Sequence, residues 1–139
     1  MLLIGSAVAA GCHSGGGAGG GVPEGVPLLG THWTVTEVHG APVESTANEP
    51  YIQLAADGGT VSGSGGCNRL TGQATVAGDS LRFGAMAQTR MACATGMDQE
   101  QAITSALALA TRYRIQGSTL ELFAGDQQVM RLVAQAGGS

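Results

Sequence analysis

Tyr51-Ile52-Gln53-Leu54-Ala55-Ala56-Asp57-Gly58-Gly59-Thr60-Val61-Ser62-Gly63-Ser64 is the stretch on which the fold turns. Ile52 and Leu54 fall on one face of an extended segment, so Tyr51 to Ala55 reads as a strand. Asp57-Gly58-Gly59 supplies residues that tolerate positive φ, and Thr60 to Ser64 is extended again. Two short strands joined this way form an antiparallel hairpin, and a three-residue turn between them calls for a bulge.

Working outward, Trp33 to Val38 is a β-branched and aromatic run that stops at Gly40 and Pro42. Leu70 to Ala77 and Ser80 to Gly84 flank a second turn at Gly78-Asp79. The period then changes: Ala102, Ile103, Ala106, Leu107 and Ala110 share one face at helical spacing. Asp98 can cap that helix, with Gln101 as its capping-box partner and Glu100 in the first turn near the positive dipole end. Strands return at Arg112 to Ile115, Thr119 to Phe123 and Gln128 to Val133. The links are short, which favours antiparallel neighbours, because a parallel pair needs a long crossover. A meander of eight short strands curls shut to remove its edges. The expected fold is mainly β (α+β): a small closed antiparallel barrel of about eight strands, with one helix inserted before the last three. Trp33, Leu54, Phe83, Tyr113 and Leu122 are the bulky inward candidates, enough to fill much of its interior.

At 139 residues the chain is long enough for one domain and too short for two. The folded unit is expected over residues 30–133, with 134–139 as a small-residue tail. Net charge is −4, all six bases are Arg, and the first of them is Arg69. No basic cluster can replace phosphate counterions, so nucleic acid is not an expected partner.

Residues 1–11, MLLIGSAVAAG, are apolar and uncharged. Eleven residues cannot cross a hydrocarbon core that needs about 20 in a helix. They read instead as the apolar part of a secretion signal, without the basic start such a signal carries, so the reading allows for a longer precursor. Ala9-Ala10-Gly11-Cys12 is similar to a bacterial lipoprotein processing site, in which Cys12 would carry the lipid. The expectation is an extracytoplasmic protein, lipid-anchored to the cell membrane or outer membrane, with plain secretion as the alternative. Residues 12–29 are Gly-rich, and Gly loses the most backbone entropy on ordering, so they read as a flexible spacer.

With Cys12 lipidated, Cys67 and Cys93 are left as one pair in an oxidising compartment. A bridge between them would close a loop of about 26 residues; two separately buried thiols are the alternative. No CxxC and no clustered His accompanies either Cys, so neither a metal nor any other cofactor is expected.

Taken together, these segments resemble the META domain, the family of HslJ-like, heat-inducible bacterial envelope proteins. Trp33-Thr34-Val35 looks like the family's opening strand. Gly63-Ser64-Gly65-Gly66-Cys67-Asn68-Arg69-Leu70-Thr71-Gly72 resembles its Gly-Cys-Asn core, and Thr89-Arg90-Met91-Ala92-Cys93 its second signature. The helix around Glu100 and the strands through Leu122 complete the likeness. The resemblance implies a lipocalin-like closed barrel with one helix, often carried on a lipoprotein. It implies links to envelope stress, novobiocin tolerance, secretion or motility, and no assigned reaction.

Physically, Gly63, Gly65 and Gly66 suit a sharp bend, Asn68 can bond back to the local backbone, and Met91 suits a gap in the core. Asp57, Asp79 and Asp126 belong to hairpin turns, and His13, His32 and His39 are placed beside no thiol, so no catalytic residues are expected. Arg112 and Arg114 read as a solvated strand face. The functional expectation is a non-enzymatic, monomeric envelope lipoprotein that meets the bacterial membrane through Cys12 and another envelope protein through its head. A small barrel that binds an apolar ligand or antibiotic is the alternative.

Overall fold

The structure, a computed structural model, describes residues 25–135. The signal-like segment, Cys12, most of the spacer and the last four residues lie outside them. Strands β1 (Trp33–Val38), β2 (Ala41–Pro42), β3 (Tyr51–Leu54), β4 (Thr60–Ser64), β5 (Arg69–Ala77) and β6 (Ser80–Gln88) precede α1 (Met97–Leu109). Strands β7 (Arg112–Gln116), β8 (Thr119–Ala124) and β9 (Gln127–Ala134) follow it. All pair antiparallel, in the order β9-β8-β7-β6-β5-β4-β3-β1-β2, and β9 pairs back onto β1. Eight strands therefore form a ring. Residue pairs show how β2 fits: β3 takes Trp33 and Thr34 of β1, and β2 takes Glu37 and Val38 farther along.

The deciding hairpin is present, with a wider turn than its sequence suggested. Ala55 N–H donates to the Thr60 carbonyl, so four residues make the turn and Ala56 joins it. Pairing runs unbroken from Leu54↔Val61 to Tyr51↔Ser64, and no bulge is needed. Gly58 takes φ 77°, and the Asp57 carboxylate accepts from Gly59 N–H at 2.8 Å.

β6 runs four residues beyond Gly84, where its apolar alternation fails. The register jumps there, from Ala74↔Phe83 to Gly72↔Met86, so a bulge resets which side chains face inward. β7 pairs with β6 at Ser80↔Arg112, and α1 packs against β6 beyond that seam.

Trp33, Ile52, Leu54, Leu70, Leu81, Leu120, Leu122 and Leu132 fill the ring, and Ile103 and Leu107 enter from α1. Tyr113 is only half-buried, unlike the other bulky inward candidates. The helix starts two residues earlier than expected. Its N-cap is Gly96 at φ 88° with no side-chain cap, and Asp98 lies inside the first turn.

Two boundaries also shift. Residues 25–29 are not free spacer: Val26 N–H donates to the Gly117 carbonyl, and Leu28 is buried where its carbonyl accepts from Trp33 Nε1 at 3.1 Å. Burying Leu28 and satisfying the indole N–H repays the ordering of this segment. At the other end β9 includes Ala134, read as tail, and Gln135 N–H donates to the His32 carbonyl.

The arginines of β7 are partnered rather than simply solvated. Arg114 Nη2 lies 2.7 Å from Glu121, and the guanidinium groups of Arg112 and Arg114 stand over the Phe123 ring. Glu121 in turn reaches Arg131 at 3.5 Å, and Arg131 reaches Glu37 at 3.4 Å.

Candidate functional site

Between β4 and β5 the chain reverses through Gly65-Gly66-Cys67-Asn68, closed by Gly65 N–H donating to the Asn68 carbonyl at 3.0 Å. Gly66 sits at φ 111°, which an L side chain rarely adopts. Gly65 has a different reason: a Cβ there would stand 2.5 Å from Cγ of Glu100. The small corner is what lets a carboxylate from the helix come in.

Glu100 is 2% exposed. Its Oε1 accepts from the backbone N–H of Cys67 at 2.9 Å and of Asn68 at 2.7 Å, and its Oε2 accepts from Asn68 Nδ2 at 2.6 Å. The Asn68 amide then passes the connection on. Its Oδ1 accepts from Thr89 Oγ1 at 2.8 Å and from Met91 N–H at 2.6 Å, while Nδ2 also donates to the Met91 carbonyl at 3.2 Å. Thr89 Oγ1 accepts from Arg69 N–H at 3.0 Å. A disulfide joins Cys67 to Cys93, with Cα atoms 6.2 Å apart. One helix, one corner and one crossing segment are thus tied by a carboxylate, an amide and a covalent bond.

Of the motif residues, Gly66, Cys67, Asn68, Thr89, Met91 and Cys93 come together here. Trp33 does not; it lies in the barrel core. Gly72 is also apart, facing β6, where a Cβ would approach Met86 Sδ to 2.6 Å. Two roles differ from the sequence reading. The Asn68 side chain bonds to residues 21 to 32 positions away rather than to its own turn. Met91 is 55% exposed, because its backbone, not its side chain, is the part the corner holds.

The central role of Glu100 was not read from the sequence. Its signal was spacing: 100, 103 and 107 share one helix face, so a carboxylate stood in line with Ile103 and Leu107. A charge on an apolar face must find donors, and the corner provides them.

Gly63 stands two residues before this corner. A Cβ there would overlap the Tyr51 carbonyl oxygen and lie 3.1 Å from Ile52 Cα, both of them backbone atoms that cannot swing aside. Gly63→Ala is expected to cost about 1–3 kcal/mol by forcing β3 from β4. Urea unfolding measures it; an unchanged midpoint would mean that the strands separate freely.

Above the corner lies an open groove of about 450 Å³, lined by Asn48, Glu49, Tyr51, Arg69, Thr89 and Met91 among others. The Tyr51 ring stacks on His32 with centroids 4.1 Å apart, and His32 Nε2 is 2.8 Å from Glu49. Among the described residues no group of three or more His, Cys, Asp or Glu is placed to hold a metal ion.

Two NMR structures share this fold. One is 26% identical, with a TM-score of 0.60, covering 76% of this chain and 91% of its own. The other, from Burkholderia xenovorans, is 21% identical, with a TM-score of 0.63, covering 88% and 98%. No curated protein matches the chain. The META domain profile matches residues 26–137, a span that holds the barrel, the helix and the tied corner. The chain belongs to the META domain family.

Proposed function

We propose that this protein is a non-enzymatic cell-envelope lipoprotein, anchored through Cys12, whose META domain head binds another envelope protein in the response to envelope stress. The observation that carries this reading is the Cys67–Cys93 disulfide, since such bonds form and persist in oxidising compartments outside the cytosol. The carboxylates support the non-enzymatic part. Glu100 already accepts three N–H groups, and Asp57 holds its own turn. The groove beside Met91 and the Tyr51–His32 stack is where a partner would meet the head.

An apolar-ligand carrier is the second reading. Leucines, Trp33 and the helix side chains occupy the barrel interior, so a ligand would have to use the outer groove.

Mass spectrometry of the protein from a bacterial host, with and without reduction, tests the location. The expected result is diacylglyceryl mass on a fragment beginning at Cys12, and release to the soluble fraction in Cys12→Ser. Unmodified Cys12 on a cytosolic protein with reduced thiols would overturn it. Cross-linking in intact envelopes tests the partner; recovery of no specific protein, with a wild-type envelope after deletion, would count against that part.

A further inference from the structure

The outer wall of the barrel is of two kinds. Across β7, β8, β9 and β1 the register aligns Arg114, Glu121, Arg131 and Glu37 in one row of alternating charge. Across β3, β4, β5 and β6 the row is Gln53, Ser62, Thr71 and Ala87, and beside it Thr60 faces Gln73. A shallow groove of about 760 Å³ lies along these rows, and all ten residues lining it are uncharged. Its trough is lined by the small residues Ala85, Ala87 and Gly72.

This groove is continuous with the one above the corner. Tyr51 and Gln53, Ser64 and Ser62, and Arg69 and Thr71 are each two residues apart on one strand, hence roughly 6.8 Å apart on the same face. The joint surface has a half-buried tyrosine ring at one end, with Glu49, Arg69 and Met91 around it, and hydroxyl and amide groups along the rows.

We propose that this face binds a neutral oligosaccharide chain. Thr, Ser and Gln side chains each both donate and accept, as sugar hydroxyls do, so either group can satisfy the other in several orientations. The Tyr51 ring, fixed from behind by His32, offers an apolar plate with a polar tip for a sugar ring. Along the rows themselves an anionic polymer or lipid finds no counter-charge and an apolar peptide no large exposed apolar side chain, because Arg69 and Met91 stand only at the tyrosine end. The same chemistry would serve a wall glycan or a secreted polysaccharide. This proposal goes beyond the envelope reading and does not depend on it, because the face is built without Cys12.

The test is a titration of the isotope-labelled full chain, followed by backbone amide shifts. One arm uses chitotetraose, with N-acetylated sugars as in a wall glycan; the other uses cellotetraose, a plain glucose polymer. The expected result is saturable shifts confined to residues 51–53, 60–64, 69–73 and 85–87, with a Kd on the order of 1 mM for the better sugar. Which arm is tighter identifies the source. Thr71→Glu places a charge in the exposed centre of the face and is expected to weaken binding about tenfold. If that variant loses its dispersed spectrum, Gln73→Arg, also exposed, takes its place. No saturable shift from either sugar by about 10 mM, shifts centred elsewhere, or unweakened binding in a folded variant would overturn the proposal. Concentration-dependent broadening of these amides without sugar would assign the face to a second copy of the chain and overturn it as well.

Discussion

Glu100→Ala is expected to remove about 4 kcal/mol of stability, read as a fall in the urea midpoint at unchanged slope. Truncation leaves the buried N–H groups of Cys67 and Asn68, and one Asn68 amide donor, without their acceptor. Each orphaned donor costs about 1–3 kcal/mol, and a water entering the space would recover part of it. Against a net stability of about 5–15 kcal/mol for a domain, that is from about a quarter to most of what holds the fold. Glu100→Gln is the informative companion. Its carbonyl can still accept from both backbone N–H groups, but its NH₂ then faces the NH₂ of Asn68. Turning the Asn68 amide round would relieve that clash only by breaking its bonds to Thr89 and Met91. The expected cost is about half that of Ala. Equal midpoints for wild type and Glu100→Ala would mean that the carboxylate holds nothing.

Removing the disulfide through Cys67→Ala with Cys93→Ala is expected to cost about 3.5 kcal/mol, from the freedom returned to a 26-residue loop in the unfolded chain. The folded state should barely change, because the Asn68 amide still holds Thr89 and Met91 beside the corner. Amide spectra of the double variant should therefore overlay on wild type except near residues 67 and 93, while the denaturation midpoint falls. A spectrum that loses the Thr89–Met91 shifts would show that the sulfurs, not the amide, position that segment. Combining the pair with Glu100→Ala should depart from additivity, since both act on the backbone of Cys67.

Alternation and turn residues alone determined most of the barrel: eight of the nine strands and the helix could be placed from Ile52, Leu54, the Asp-Gly turns and the change of period at Ala102. Those signals are local, because each reports which face of a short segment is apolar. Beyond their reach were the extension of β6 past Gly84, where a bulge reverses the faces, and the packing of Leu28 under Trp33, where Gly-rich neighbours hide one buried side chain. The motif residues were legible as a group, but their wiring was not. That Glu100 rather than Asp98 is the decisive acid, that Asn68 reaches across to Met91 while the Met91 side chain faces outward, and that uncharged residues line up in rows across β3 to β6 all depend on how distant strands register. A hydrogen bond between residues more than 20 positions apart has no periodicity to betray it. Only closure of the ring brings donor and acceptor together.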